Sequence, residues 1–381
     1  MEWKQAIEEA VHKTAKNIVR FNGLFPHVSE NQQYRLNNND EWTNGFWSGI
    51  LWLCYEYSGD KKFKEAAELT VKSFQERIDN SISLDHHDIG FLYSLSSKAQ
   101  WMIEKNEQAR QLTIAAADAL MKRWRPNGQY IQAWGPEGDP ENGGRIIIDC
   151  MLNLPLLFWA SGQTGNPAYK DAAILHADKT RRYIVRGDDS TFHTFHLDPE
   201  TGNPLNGETH QGYQNGSTWT RGQAWAIYGF ALAYVYTKNP LYLETAKRTA
   251  RYFVERLPED SVAYWDFCAP VNSQTKRDSS ASAIAACGMM EIISHLDDCD
   301  PDKIYFREAV LRSMKSLVEN YATEKDSEGL LDHGSYCIRR GESPDDFMIW
   351  GDYYYLEALM RLEKEHSGYW YEFTKQKLTA Y

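Results

Sequence analysis

Residues 138 to 153 read Gly138-Asp-Pro-Glu-Asn-Gly-Gly-Arg-Ile-Ile-Ile-Asp-Cys-Met-Leu-Asn153. A polar, glycine-rich loop thus runs into an apolar segment that continues to Ala160. An aspartate is favoured directly before a helix, because its carboxylate can accept a backbone N–H that has no partner in the first turn. The pattern therefore predicts a buried helix beneath a loop, with Asp149 at the N-terminal end of that helix.

The same alternation of a loop, an apolar segment and a charged segment recurs along the whole chain. Each apolar segment except the last is followed, after a short turn, by a charged segment with the spacing of an amphipathic helix. The apolar segments span residues 44–57, 88–101, 149–159, 221–236, 279–293 and 350–362. The amphipathic segments span residues 3–20, 61–78, 106–124, 167–184, 239–257 and 303–322.

A recurring helical pair indicates a repeat architecture. Several charged helices share a weak signature near their starts, as in Phe63-Lys-Glu-Ala66 and Phe306-Arg-Glu-Ala309. Six pairs predict an all-α (α/α)6 barrel, a toroid of six helical hairpins with apolar helices inside and amphipathic helices outside. An open helical solenoid is the alternative, but the inner segments are apolar nearly all round, as helices buried on every side are. We expect residues 1–381 to form one catalytic domain, with a peripheral tail after about residue 371.

The loops before the inner helices are long, whereas the turns after those helices are short. The long loops span residues 21–43, 79–87, 125–148, 185–220, 258–278 and 323–349. Because all inner helices of such a ring run the same way, these loops gather at one mouth beside the helix N-termini. Long loops in a compact domain usually carry function, and helix N-termini favour an anionic ligand.

Composition narrows the class of partner. The net charge is −12 and no basic stripe is visible, so nucleic acid is not expected as a partner. No apolar run approaches the roughly 18 residues of a membrane span. The six cysteines form no Cys-x-x-Cys pair, which indicates free thiols in a reducing compartment rather than disulfides or a zinc site. We therefore expect a cytoplasmic protein, a monomer or weak oligomer, that requires no metal and no cofactor.

The mouth collects residues suited to sugar chemistry. Aromatic residues make up 13% of the chain, and tryptophan can provide a flat wall for a sugar ring. Paired carboxylates are the usual equipment of glycosidases. The residues at the mouth are Trp42, Asn44, His86, His87, Asp88, Trp134, Asp149, His193, Gln211, Trp219, Arg221, Trp225, Asp278, Asp345 and Asp346.

Each of these residues also has a purely structural interpretation. Asp88, Asp149, Asp278 and Asp345 all precede inner helices and could each be a helix cap, so position alone does not select a catalytic pair. Tryptophans inside apolar segments, namely Trp47, Trp52 and Trp159, are expected in the core. A core role and a ligand-facing role are equally consistent with the polar context of Trp42, Trp134 and Trp219. The histidines near residue 87 lack metal-ligand spacing.

Several longer motifs resemble the unsaturated glucuronyl hydrolases of glycoside hydrolase family 88. Besides residues 138–149, they are Leu84-Asp-His-His-Asp-Ile-Gly-Phe-Leu-Tyr-Ser94, Gly216-Ser-Thr-Trp-Thr-Arg-Gly-Gln-Ala-Trp225, Asp278-Ser-Ser-Ala-Ser282 and Trp350-Gly-Asp-Tyr-Tyr-Tyr-Leu-Glu-Ala-Leu359. The resemblance covers nearly the whole chain and implies the same (α/α)6 barrel. It also implies hydration of the C4–C5 double bond of a 4,5-unsaturated glucuronic acid at the non-reducing end of an oligosaccharide left by a polysaccharide lyase.

The resemblance also implies roles for individual residues. Asp149 corresponds to the acid/base that protonates C4, and Asp88 to the assisting carboxylate. The implied substrate-binding residues are Trp42, His87, Trp134, His193, Gln211, Trp219, Arg221 and Trp225. Because two nearby carboxylates cannot both ionise cheaply, we expect the pKa of one to rise, although the helix dipole at Asp149 opposes this.

Three alternatives remain open from the sequence. An unsaturated rhamnogalacturonyl hydrolase would use the same chemistry on a related barrel. A sugar 2-epimerase would rely on histidines, so that replacing Asp149 would leave its activity largely intact. A non-catalytic sugar-binding toroid would bind an unsaturated disaccharide without consuming its double bond. The polysaccharide source, sulfation and oligomeric state are not determined by the sequence.

Overall fold

Thirteen α-helices alternate between an inner and an outer layer in the computed structural model, which describes residues 2–372. The outer helices are α1 (Glu2–Phe21), α3 (Lys61–Asp79), α6 (Glu107–Met121), α8 (Pro167–Tyr183), α10 (Pro240–Val254) and α12 (Pro301–Ser316). The inner helices are α2 (Asn44–Ser58), α4 (Ile89–Ser94) with α5 (Ser97–Glu104), α7 (Leu154–Thr164), α9 (Thr220–Thr237), α11 (Ser279–Ile293) and α13 (Ile349–Lys364).

The inner layer closes on itself. Contacts run from α2 to α4, on to α7, α9, α11 and α13, and back from α13 to α2. The N-terminal helix α1 packs against α13 and so supplies the outer partner of the last inner helix. The predicted closed (α/α)6 toroid is confirmed, and the open solenoid is excluded.

The two layers differ in burial and in how their helices begin. Every residue of α9 from Thr220 to Ala233 is buried, whereas the outer helices bury one face only. A capping side chain accepts a backbone N–H at the start of five outer helices, where the helix ends face solvent. These caps are Asp60, Asn106, Asn166, Asn239 and Asp300. The inner helices, with the exception of α11, have no side-chain cap.

Two inner segments depart from the predicted continuous helices. The second is interrupted at Leu95 and Ser96, between α4 and α5. In the third, residues Ile148–Leu152 form a 3₁₀ helix and α7 begins only at Leu154. The prediction that Asp149 stands directly before an α-helix is therefore wrong in detail, because Pro155 is favoured in the first turn of a helix and sets the start of α7 there.

Short antiparallel strands organise the long loops at the mouth, which the all-α prediction did not include. Strand β1 (Phe25–Glu30) pairs with β2 (Gln33–Asn37), and β3 (Trp124–Arg125) pairs with β4 (Tyr130–Ile131). A three-stranded sheet joins β5 (Arg145–Ile147), β6 (Thr194–Leu197) and β7 (Pro204–Glu208). These ladders satisfy loop backbone groups that would otherwise lie unpaired beside the core.

The structure addresses only some of the remaining expectations about the chain. All six cysteines are free, with Cys268 and Cys299 exposed and the other four buried. Within residues 2–372, no helix is both long and apolar enough to span a bilayer. The tail that the sequence places at the periphery lies, from residue 373 onward, outside the described residues. The single-domain assignment stays a prediction.

Candidate active site

A pocket of about 410 Å³ opens at the mouth, among the loops that precede the inner helices. It brings together seven of the ten residues singled out from the sequence: Trp42, His87, Asp88, Trp134, Asp149, His193 and Gln211. The other three, Trp219, Arg221 and Trp225, lie behind its wall. The long loops therefore converge as their lengths predicted.

Side-chain contacts now distinguish the four aspartates that precede inner helices, which their positions in the sequence could not do. The side chain of Asp278 accepts the backbone N–H of Ala281 and is the true cap of α11. Asp345 is held in ion pairs with Lys276 and His333, at 2.7 and 2.8 Å. Neither Asp88 nor Asp149 makes a capping bond, and both line the pocket. These two are thus the carboxylates left available for chemistry.

Asp88 is held in its ionised form. Burial alone would raise the pKa of Asp88, but interactions with His87, His86 and Asn153 outweigh burial and lower it. The nearest histidine nitrogens lie 3.4 Å from its two carboxylate oxygens. His87 itself is neutral near pH 7, since burial lowers its pKa to about 4, so the hydrogen bonds of His86 and Asn153 are the contributions that remain at that pH.

Asp149 has the opposite electrostatic environment. Burial and the charge of Asp88 raise the pKa of Asp149 to about 8, against the opposing pull of Arg221. One carboxyl oxygen, Oδ1, is buried without a hydrogen-bond partner among the described residues, while the side chain as a whole keeps part of its surface towards the pocket. Desolvation therefore outweighs any dipole of the short helical turn, and Asp149 holds a proton at neutral pH.

The two carboxylates together can donate a proton and stabilise a cation. An acid that retains its proton near neutral pH beside a carboxylate that stays ionised is the division of labour found in carboxylate-based glycosidases. Asn153 joins the two sites, since its amide donates to the Asp149 carbonyl at 3.2 Å and its oxygen accepts the Phe91 N–H at 2.7 Å. Gly90 permits this approach, because a Cβ there would lie 2.3 Å from the Asn153 Cα.

His193 and Gln211 are polar groups fixed in the pocket wall. The Nδ1 atom of His193 accepts the backbone N–H groups of His210 and Gln211, at 3.1 and 3.3 Å. Burial lowers the pKa of His193 well below its usual value, so the ring is neutral and carries its proton on Nε2. His193 can therefore offer a single oriented donor, and Gln211 an amide that is already tied to the Tyr336 carbonyl at 3.3 Å.

Trp42 and Trp134 form partly exposed aromatic walls. The indole N–H of Trp42 donates to the Tyr336 hydroxyl at 3.4 Å, and its ring packs 5.2 Å from that of Trp350. The Trp134 ring lies 5.2 Å beneath the Arg145 guanidinium. Both rings are fixed by neighbours yet face the cavity, as a stacking platform for a sugar ring requires.

Arg221, Trp219 and Trp225 support the pocket from behind. The Arg221 guanidinium donates to Asp278 at 2.5 Å and to the backbone carbonyls of Ser335 and Tyr336, and so anchors the loop that forms the opposite wall. Trp219 packs 4.3 Å from the His193 ring. Trp225 is fully buried within the barrel. In this structure the three side chains position the residues that line the pocket.

Sequence reasoning missed eight residues that line the pocket: Glu141, Asn142, Arg145, His210, Tyr336, Cys337, Arg340 and Glu342. Glu141, Asn142 and Arg145 lie in the glycine-rich stretch of residues 138–153, in which only Asp149 was predicted to belong to the site. The last four lie in the loop of residues 323–349, whose length was the only available signal. Within residues 2–372, no group of three or more His, Cys, Asp or Glu side chains is placed to hold a metal ion.

A closed α/α toroid with an acid–carboxylate pair and tryptophan walls at its mouth defines a carbohydrate-active enzyme that works by acid–base catalysis. The model of Glycosyl Hydrolase Family 88 matches residues 17–376. The chain belongs to this family and is a glycoside hydrolase.

Relatives match this chain over nearly its whole length. The chain is 60% identical to the unsaturated glucuronyl hydrolase of Bacillus sp. (strain GL1) over 97% of this chain and 99% of the relative. The crystal structure of the unsaturated glucuronyl hydrolase from Bacillus sp. GL1, described as responsible for the degradation of glycosaminoglycan, matches with a TM-score of 0.97 and 59% identity, over 98% of this chain and 100% of that one. A Streptococcus agalactiae unsaturated glucuronyl hydrolase mutant complexed with dGlcA-GalNAc6S matches with a TM-score of 0.86 and 43% identity, over 97% and 93%.

Proposed function

We propose that this enzyme hydrates the C4–C5 double bond of a 4,5-unsaturated glucuronic acid at the non-reducing end of oligosaccharides produced by polysaccharide lyases. The hydrated product is an unstable hemiketal, which rearranges to a keto acid and releases the neighbouring sugar. The relatives named for unsaturated glucuronyl substrates support this assignment over nearly the whole chain.

In the proposed reaction, Asp149 acts first as acid and then as base. Its carboxyl proton moves to C4 and the double-bond electrons form the new C4–H bond, which leaves positive charge shared between C5 and the ring oxygen. Water then adds to C5 and gives one proton back to the Asp149 carboxylate. The net change is the addition of one water molecule, and Asp149 is regenerated in its protonated form.

Asp88 is proposed to stabilise the positive charge that develops at C5. An ionised carboxylate in a desolvated pocket is more effective in this role than in water, because it is already oriented and little screened. Trp42 and Trp134 would stack on the sugar rings, and His87, His193 and Gln211 would hydrogen-bond the sugar or its carboxylate. Arg221 would act on the substrate through the wall loop that it anchors.

The observation that carries the proposal is the opposite displacement of two carboxyl pKa values in one pocket: Asp149 upward to about 8 and Asp88 downward. A non-catalytic sugar site needs hydrogen-bonding carboxylates but gains nothing from a protonated acid at neutral pH. A sugar 2-epimerase would need a protonated histidine as its acid, whereas burial lowers the pKa of both His87 and His193 and so disfavours their protonated forms at neutral pH.

The test follows the loss of the conjugated double-bond absorbance of a lyase-generated unsaturated glucuronyl disaccharide. We expect wild type to consume it and Asp149→Asn to be slower by a factor of roughly 10² to 10⁴, the usual contribution of a general acid/base. Asp345→Asn is the matched control, since Asp345 stands at the same mouth but outside the pocket. Wild-type-like turnover by Asp149→Asn would remove this residue from the mechanism.

A parallel assay with unsaturated galacturonyl-rhamnose separates the rhamnogalacturonyl alternative. We expect the glucuronyl substrate to be preferred. If only the galacturonyl substrate reacts, the alternative is correct. If neither reacts with wild type, a sugar-binding toroid becomes the better account.

We further propose that the natural substrates include glycosaminoglycan fragments, as stated for the Bacillus sp. GL1 relative. A cytoplasmic location is supported by six free cysteines, which suit a reducing compartment. We propose that the enzyme works as a monomer or weak oligomer, since one chain by itself supplies both carboxylates and the tryptophan walls of the pocket.

A further inference from the structure

Seven residues, His366–Glu372, follow the C-cap Glu365 of α13 and cross the end of the barrel opposite the mouth, and we call them the C-terminal clasp. The chain leaves α13 through Glu365 and turns at Gly368, whose φ of +71° favours glycine. A Cβ at Gly368 would also lie 2.9 Å from the Glu357 carboxylate. The sequence therefore builds a turn that directs the following aromatic residues into the barrel.

The clasp bonds to all six inner helical segments. Tyr369 donates to Glu56 of α2 at 2.5 Å, and Tyr371 donates to Glu291 of α11 at 2.9 Å. The Trp370 carbonyl accepts from Lys98 of α5 at 2.5 Å and from Tyr236 of α9 at 2.8 Å. Gln163 of α7 donates to Glu372 at 3.4 Å, and the Trp370 indole N–H donates to Glu357 of α13 at 2.9 Å.

The Trp370 indole reaches the underside of the active site. It is fully buried and stacks parallel to the Tyr354 ring, with 6.1 Å between centroids, while its edge meets Phe91 at 6.2 Å. Tyr354 and Phe91 in turn pack against Trp225, at 5.4 and 5.3 Å. We call Phe91, Trp225 and Tyr354 the aromatic floor.

The aromatic floor lies next to the catalytic pair. The backbone N–H of Phe91 is held by Asn153, which also donates to the carbonyl of Asp149. Burial raises the pKa of Tyr354 well above its usual value, and nearby negative charge, including that of Asp149, adds to this effect. The acid, the aromatic floor and Trp370 thus form three successive layers from the mouth to the far end.

We infer that Trp370 is a positioning residue for the reaction: by sealing the far end of the barrel, it keeps the aromatic floor in place and water away from Asp149. Burial is the largest cause of the raised Asp149 pKa, so whatever excludes water from beneath it sustains the protonated acid. This inference rests on the proposed role of Asp149 as proton donor. The titratable or charged groups that interact with Asp149 or line the same pocket include His87, Asp88, Glu141, Arg145, Cys150, His193, His210, Arg221, Cys337, Arg340, Glu342 and Tyr354.

The test compares the pH dependence of kcat/KM for wild type and Trp370→Ala. Loss of the indole opens the aromatic floor to water, the ionised form of Asp149 becomes easier to form, and the alkaline limb should move down by roughly one pH unit. If wild type has its limb near pH 8, this shift lowers activity about fivefold at pH 8 and hardly at all at pH 6. Trp370→Phe keeps an apolar ring in place and should restore the limb to within about 0.3 pH units.

Trp52→Ala is the matched control for a purely structural effect. Trp52 is a fully buried tryptophan of α2 outside the aromatic floor, and its indole N–H has no hydrogen-bond partner among the described residues. It should lower the melting temperature as Trp370→Ala does, without moving the alkaline limb. Equal limbs in wild type and Trp370→Ala, or equal shifts in the two alanine variants, would overturn the inference.

A replacement variant and two further measurements cover the cases in which Trp370→Ala does not fold or wild type is inactive. If Trp370→Ala does not fold, Trp370→Leu replaces it with the same expected direction of shift. Wild-type turnover at pH 6 tests the proposed function on its own. If wild type has no activity, a ¹³C NMR titration of the Asp149 carboxyl in both proteins measures the same shift without turnover, and identical titrations would refute the role of Trp370.

Discussion

Replacing Asp149, the proposed catalytic acid, should stabilise the folded protein, and the gain should depend on pH. The pKa of Asp149 is about 8 in the folded state, against the ordinary value of 3.8 that an unfolded chain presents. The folded state therefore binds a proton that the unfolded state releases between about pH 4 and pH 8. The raised pKa therefore lowers the free energy of unfolding. This penalty is absent below about pH 4, grows as the pH rises from about 4 to about 8, and is constant above about pH 8.

The size of the penalty follows from the linkage relation. One pKa unit corresponds to about 1.4 kcal/mol, so the full difference at pH 7 would cost about 4 kcal/mol. Because the side chain keeps part of its surface towards the pocket, water relieves some of this cost, and we expect about 2 to 4 kcal/mol. Asparagine cannot ionise, has nearly the same shape and avoids the penalty altogether.

The measurement is chemical denaturation of wild type and Asp149→Asn at pH 5, 6, 7 and 8. We expect the difference in the free energy of unfolding to favour Asp149→Asn increasingly as the pH rises. Asp345→Asn is the control of opposite sign, since hydrogen bonding from His333 lowers the pKa of Asp345 to about 2 and its charge stabilises the folded state above about pH 4. A difference for Asp149→Asn that stays constant with pH would refute the assignment of a raised pKa.

Two other substitutions test the remaining parts of the site. Asp88→Asn should lower kcat far more than it raises KM, and it should move the alkaline limb of kcat/KM to lower pH, because the charge of Asp88 helps to raise the pKa of Asp149; an effect confined to KM would make Asp88 a binding residue. Trp134→Ala should raise KM by roughly tenfold with little change in kcat, since stacking on an exposed aromatic wall is worth about 1 to 1.5 kcal/mol; Trp134→Phe should recover most of the affinity, and an equal loss in kcat would instead place Trp134 in the chemical step.

Local sequence patterns predict which helices form the inner layer of this fold and which form the outer layer. Apolar segments that lack a polar face indicate inner helices, and charged amphipathic segments indicate outer helices, so the alternation predicts the toroid without any knowledge of contacts. The strands at the mouth were not predictable in the same way. Segments such as Arg145–Ile147 are too short to show a strand period, and their pairing with Thr194–Leu197 joins residues far apart in sequence.

The candidate site was likewise only partly predictable from the sequence. Seven of the ten expected residues line one pocket, because the long loops meet at one end of the barrel as their lengths predicted. Arg221 was expected to meet the substrate, but its guanidinium is used by Asp278 and two backbone carbonyls. No sequence pattern distinguishes an arginine that faces a ligand from one that anchors a loop, because the difference lies in which groups the fold brings within 3 Å.

The sequence by itself determined the architecture, the end of the barrel where the site lies, and the family, since helix periodicity, loop length and motifs are properties of neighbouring residues. Only the tertiary structure distinguished the aspartates by their surroundings. Asp88, Asp149 and Asp278 occupy similar places in the repeat, yet one is a helix cap, one keeps its charge and one keeps its proton. Those differences arise from burial and from charges contributed by distant segments, and such interactions act through space rather than along the chain.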